Sequence, residues 1–369
     1  MFAKAGRPVV RRLVAAPADG APAFSDVRLK WGLKARTEKE TAEDAVRAPG
    51  RRGEMKGMAS LWKGRRVGLA LGGGGVRGFS HVGVLRVLEQ EDIRVDLIAG
   101  TSAGAIIGGA YASGLNSREI QRRIETYVSS PAFNDSTLKS LGMAVSPVKK
   151  NRFEKVAHFV KSRYYQIRAF FHPAILPVSD LQSLVDYFIA DIRIEETRIP
   201  FVAVATDLLS GQRIAFREGP MRKAVMASCA VPGAMESVRH GDWLLTDGGV
   251  TSLVPVQAAK EAGADVVIAV VVDRSIGAAG DLDTAPEIIY RAGEITADKL
   301  ETAELREADV VIRPRVGDLH WMDFSRAGDL IREGEIAARE ALKEIHRALP
   351  IGSRVSHVAR RLFSMWKAR

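Results

Sequence analysis

Apolar residues in this chain fall into short unbroken runs, separated by stretches with a helical period. VGLALG (Val67–Gly72), VDLIAG (Val95–Gly100), FVAVATD (Phe201–Asp207) and DVVIAVVVD (Asp265–Asp273) have the length of strands, as do the shorter RIAF (Arg213–Phe216) and WLLTDG (Trp243–Gly248). A run apolar at successive positions reads as a strand buried on both faces. Between these runs, His81–Gln90, Ala103–Ala112, Met221–Ser228 and Pro255–Ala262 carry helical patterns. Strands alternating with helices predict an α/β fold. The expected architecture is a three-layer α/β/α sandwich whose mostly parallel central sheet has helices on both faces. That domain is expected over residues 66–338.

The ends of the chain read differently. Residues 1–65 mix Ala, Pro, Gly and charge without a sustained period, the signature of a poorly ordered extension. At the other end, SRVSHVARRLFSMWK (Ser353–Lys367) spaces Val355, Val358, Leu362 and Trp366 as one face of a helix, with Arg354, Arg360, Arg361 and Lys367 off it. Residues 339–369 are therefore expected to form a basic amphipathic tail, which either lies on an anionic membrane or packs on the domain. A third stretch, 149–172, interleaves seven basic residues and one acid with six aromatics. It suits a lid or an interfacial insertion, or a helical pair whose rings pack on the sheet.

Charge sharpens this division. Of the net +10, residues 1–66 contribute +9 and 339–369 contribute +6, which leaves −5 for the middle. A mildly acidic core domain argues against nucleic-acid binding, whereas the basic tails suit peripheral contact with anionic lipid. The longest apolar run, Val266–Val272, is far shorter than the roughly 20 residues that span a bilayer. Pro8, Arg11 and Arg12 interrupt any secretory apolar segment, and the single cysteine, Cys229, permits no intrachain disulfide. A cytoplasmic protein is expected, with peripheral contact at the inner face of the membrane.

Three glycine-rich motifs carry the candidate chemistry. In GGGGVRG, Gly73, Gly75 and Gly78 fit G-x-G-x-x-G between a strand and a helix, which is also the dinucleotide fingerprint. A nicotinamide site needs an acid at the end of the next strand, but Asp96 stands at the start of VDLIAG. Directly after that strand comes GTSAG, a G-x-S-x-G nucleophile elbow. Gly100 and Gly104 leave room for a sharp turn that would expose the hydroxyl of Ser102. The plainer alternative is Ser102 as a helix N-cap. A serine attacking an ester needs backbone N–H donors for the oxyanion, and the glycine loop can supply them. The third motif is LLTDGGV, where Asp247 ends a strand ahead of Gly248 and Gly249. Asp-Gly is also a hairpin-turn signal. Among the histidines only His320, in GDLHWMDF, falls in a loop after a late strand.

In this order on an α/β chain, GGGxRG, GxSxG and DGG resemble the patatin-like phospholipase family, as do ATDLLSG (Ala205–Gly211) and ASCAVPGAMESV (Ala227–Val238). The resemblance covers about residues 67–338. It implies a serine acyl hydrolase of phospholipase A or lysophospholipase type, with Ser102 as nucleophile and Asp247 as its base in a Ser–Asp dyad. It assigns the oxyanion hole to the loop, placed on Gly73, Gly74 and Gly75, and implies a lipid ester substrate and no metal or organic cofactor. The third motif reads DGG here where DGA is equally common. Arg77 would hold the loop or a lipid phosphate, or else pair with a surface carboxylate. A free aspartate is a poor base for a serine, so Asp247 is expected to be buried, with a raised pKa, and within reach of Ser102. A soluble thioesterase or carboxylesterase, and a non-catalytic dinucleotide-binding regulatory domain, are the alternatives.

Overall fold

A computed structural model describes residues 65–139, 174, 176–272, 282, 285–317 and 319–349. The expected N-terminal extension up to residue 64, the aromatic stretch 149–172 and the tail beyond residue 349 lie outside the described residues. Among the described residues there are eight strands, β1 (Val67–Leu71), β2 (Leu97–Thr101), β3 (Phe201–Asp207), β4 (Arg213–Phe216), β5 (Val238–His240), β6 (Trp243–Asp247), β7 (Val266–Val270) and β8 (Val310–Ile312). They form one sheet, paired in the order β5-β6-β3-β2-β1-β7-β8, with β4 also paired to β3. The pairs β1–β2, β1–β7, β2–β3 and β7–β8 are parallel, and those that add β4, β5 and β6 are antiparallel.

The period-two alternation of a strand divides these apolar runs between two cores. Leu69, Leu71, Ile98, Phe201, Ala203, Ile268 and Val270 face one side. Six helices of that layer are α1 (Ser80–Gln90), α2 (Ala103–Ala112), α3 (Ser117–Ser129), α4 (Pro131–Asn134), α5 (Val178–Phe188) and α6 (Met221–Ser228). Ala70, Leu97, Ala99, Val202, Val204, Val267 and Ala269 face the other side, against α7 (Val256–Glu261) and Leu305 of α8 (Ala285–Leu305). These are the three layers that continuous apolar strands require.

One detail of register positions the site. Along β3, residues 201–204 pair with β2 and residues 205–207 pair with β6. β4 pairs with residues 203–206, overlapping both. A strand has two edges, so β4 occupies one while β2 and β6 share the other. They meet there tip to tip, Thr101 opposite Val204 and Asp247 opposite Ala205. The last residue of one strand and the first residue after the other are thus delivered to one place.

The boundary expected at 338 falls inside a helix, α9 (Ala327–Ala348). Its stripe of Leu330, Ile331, Gly334, Ala337, Ala338 and Ile345 is buried. The helix lies against α1, where Glu335 pairs with Arg86 at 2.5 Å and Arg339 donates to Gln90 at 2.6 Å. The basic residues just beyond 338 sit on the outer face of a packed helix, not at the start of a tail. Ile345 is fully buried, so Ile345→Ala should cost about 2–5 kcal/mol in urea unfolding. An unchanged midpoint would return this stretch to the solvated tail.

Candidate active site

β2 runs into α2 through Ser102, whose backbone adopts φ 53° and ψ −121°. A side-chain-bearing residue at such a positive φ is strained, and strain of this kind marks sites held open for function. The turn is closed by Gly104, where a Cβ would lie 2.0 Å from the carbonyl oxygen of Leu71, and by Gly100, where it would lie 2.5 Å from that of Gly104. Ser102 is not an N-cap in the usual sense, because its side chain makes no capping bond. Instead its N–H donates to Ser228 Oγ at 2.9 Å, and that hydroxyl donates to Val204 O at 2.6 Å. Ser228, at the end of α6, thereby ties the strained turn to β3. No motif pointed to it, although it lies within ASCAVPG.

Asp247 does not open a hairpin. Its chain continues into a short 3-10 turn, Gly248–Val250, and its Oδ1 accepts the Gly249 N–H at 2.7 Å. Oδ2 is sealed from water with no hydrogen bond of full geometry. Burial pushes the carboxyl pKa up to about 6, opposed by hydrogen bonding from the Ser102 hydroxyl and the Gly249 N–H. The burial and the raised pKa expected of Asp247 are both present, with the Ser102 hydroxyl beside it. Gly248 is confined by Val204 O, 2.2 Å from where its Cβ would be, and Gly249 by Asp247 Oδ1 at 3.1 Å.

The glycine loop lies over the serine. A Cβ on Gly73 would come within 3.2 Å of Ser102 Cβ, and one on Gly78 within 2.6 Å of Ala103 Cβ. Gly75, at φ +60°, leaves only 2.2 Å between a would-be Cβ and Trp321 O. These approaches answer why side chains are missing from the loop. The expected set of oxyanion donors needs correction, however. The N–H of Gly73 donates to Leu253 O at 2.9 Å, as that of Gly72 does to Val270 O at 3.0 Å. Gly73 thus anchors the loop, and its N–H drops out of the expected set. From beneath, buried His81 donates from Nε2 to Gly72 O at 2.8 Å, and burial lowers its pKa to about 4, so the ring is neutral. Arg77 is buried, and its carbonyl accepts from Ser80 Oγ at 2.8 Å.

Ser102 and Gly75 open onto a pocket of about 780 Å³, mouth included, lined almost wholly by apolar groups such as Ile106, Ile107, Ile124, Leu181, Phe188 and Trp321. Cys229 also lines it. Burial, reinforced by Asp247 and opposed by a hydrogen bond with Ser102, holds the Cys229 thiol well above its ordinary pKa, so it is no competing nucleophile. His320 is engaged locally, with Nδ1 accepting the Met322 N–H at 3.3 Å. Asp96 sits at the start of β2, taking the Val67 N–H at 3.0 Å and pairing with Arg94 at 2.7 Å, at the strand end away from the glycine loop. The dinucleotide alternative has no ribose anchor here. Among the described residues no group of three His, Cys, Asp or Glu side chains is placed to hold a metal.

The family profile of patatin-like phospholipases matches residues 69–260. An uncharacterised NTE family protein of Mycobacterium tuberculosis is 31% identical over 211 residues, 56% of this chain and 48% of that protein. Patatin-like phospholipase domain-containing protein 6 of Mus musculus is 26% identical over 264 residues, 70% of this chain and 17% of that protein. The chain spans about half the length, or less, of these relatives. Among solved structures, VipD from Legionella pneumophila aligns with a TM-score of 0.41 and 14% identity, over 76% of this chain and 67% of that one. The matched region runs from β1 through α7 and contains the serine elbow, the DGG turn and the glycine loop. The chain belongs to the patatin-like phospholipase family, a family of carboxylic ester hydrolases.

Proposed function

We propose that this protein cleaves the ester bonds of lipids through a Ser102–Asp247 dyad and an acyl-enzyme. The observation that carries the reading is the meeting of a strained serine and a buried, raised-pKa carboxylate at the end of an apolar pocket. Ser102 Oγ attacks the ester carbonyl carbon while its proton passes to Asp247, so no free alkoxide forms. The carbonyl oxygen, now negative, takes the N–H groups of Gly74 and Gly75. Collapse breaks the bond to the alcohol, which leaves with the proton from Asp247. Water then attacks the acyl-enzyme with Asp247 again as base, releasing the fatty acid and restoring the serine.

The pocket suits an acyl chain. Each buried methylene contributes about 0.8 kcal/mol, and few polar groups would compete for it. A lipid substrate is supplied from an interface, which gives the basic tails and the 149–172 stretch a use as membrane contacts. No described helix is long and apolar enough to cross a membrane.

Ser102→Ala tests the reading directly. Hydrolysis of p-nitrophenyl butyrate should fall by about three orders of magnitude or more, with the unfolding midpoint preserved. Activity within a few-fold of the parent would sink the assignment.

Asp247→Asn should separate activity from stability. The folded carboxyl titrates near 6 and the unfolded one near 3.8. A raised folded pKa means that the fold gains stability as pH drops from 6 towards 4 and carries the full cost of a buried charge above 6. That cost is about 3 kcal/mol at 1.36 kcal/mol per unit. The variant should therefore lose ester hydrolysis yet resist denaturant better than the parent at pH 8, with the advantage fading by pH 4. A variant less stable than the parent at pH 8 would contradict the buried-charge account.

A further inference from the structure

Helix α8 covers the face of the sheet opposite the pocket, where Leu305 packs with Val254 and Val256. Its last turns bury two acids, Glu301 and Glu304. Burying a carboxylate is costly, and the reaction as derived makes no use of either. Glu301 pairs with Arg313 at 3.2 Å. Glu304 does something different. Its Oε1 accepts the hydroxyl of Ser252 at 2.5 Å, and the N–H of Val254 also faces the carboxylate. Those two groups flank Leu253.

The segment so held carries the ties of the active site. Leu253 O accepts the Gly73 N–H at 2.9 Å, the anchor of the glycine loop. Ser252 O accepts Thr101 Oγ1 at 2.9 Å, one residue before the nucleophile. Ser252 N–H donates to Gly248 O at 2.8 Å, one residue after the base. Three catalytic parts thus hang on residues 252 and 253, and Glu304 holds both sides of that pair.

We infer that Glu304 is a positioning residue for the reaction at Ser102, gripping the Ser252–Val254 segment from the back of the sheet so that the glycine loop, nucleophile and base keep one alignment. The inference rests on the dyad reading. The electrostatics agree with a group retained against its desolvation cost. Burial raises the Glu304 pKa to about 7, against the pull of the Ser252 hydroxyl, Arg213 and the Val254 N–H, with Glu301 adding to the rise. Both protonation states keep an oxygen for Ser252, so the grip needs an acceptor more than a charge.

The test uses the full chain, with rates on p-nitrophenyl butyrate expressed per Ser102 titrated to completion by a fluorophosphonate, so that unfolded protein does not count. Glu304→Ala should lower kcat per site by about tenfold or more with little change in KM, because small misplacements of reacting groups are costly in rate. Glu304→Gln keeps an acceptor for Ser252 and should lie closer to the parent than to the alanine variant. Ser252→Ala should lower kcat as well, and the double variant should fall short of the product of the two single losses. A fall of less than tenfold in Glu304→Ala, a glutamine variant closer to alanine, an unaffected Ser252→Ala, or fully multiplicative losses would each overturn the inference. A parent chain that takes up no probe at Ser102 would overturn the dyad reading instead, and this inference with it.

Discussion

Two strands that share one edge of β3 and run into each other make everything else at the site possible. β2 arrives parallel to β3 and stops at Thr101; β6 arrives antiparallel and stops at Asp247. Neither can extend without colliding with the other, so both chains must turn away there, one into α2 and one into a 3-10 turn. The collision point brings a hydroxyl and a carboxylate together on rigid backbone, without a long side chain reaching across a gap.

The arrangement carries costs that the surroundings offset. Ser102 sits at a positive φ, and its amide is held by Ser228, which is fixed in turn to β3. Asp247 gives up water at Oδ2 and keeps the Gly249 N–H at Oδ1, with the Ser102 hydroxyl beside the carboxylate. His81 below and Leu253 beside the glycine loop fix it through Gly72 O and the Gly73 N–H. The large, well-packed core on both faces of the sheet is what can hold such local strain in place.

Much of this was legible in residue order because it depends on residue type. FVAVATD, RIAF, Ala103–Ala112 and Met221–Ser228 form their elements over the expected spans, since unbroken apolar runs and helical spacing leave few other folds. Ser102, Asp247 and the glycines stood out because only small residues tolerate those approaches. The parts that escaped are those where chemistry resides in the backbone or in common residues. Leu253 works through its carbonyl, which any residue would supply, and that tie takes Gly73 out of the expected oxyanion donors. Ser228 and Ser252 are ordinary serines without a motif. β5 and β8 have three residues each, too short for a period to show. In α9, Gly334, Ala337 and Ala338 fill much of the buried stripe, so the run of charges around them masked a packed helix and drew the boundary too early.

The central claim is that burial turns Asp247 into a base for Ser102, and the rate of covalent labelling of Ser102 tests it most directly. Fluorophosphonate labelling can be followed by intact-mass spectrometry from pH 4 to 9, in the parent chain and in Asp247→Asn. The account predicts a rate that climbs with pH through a midpoint near 6, the pKa of the buried carboxyl, and then levels off. In the asparagine variant the rate should be low, without that step. A midpoint near 4, or an asparagine variant that labels with the parent's rate and pH dependence, would show that Asp247 does not activate the serine.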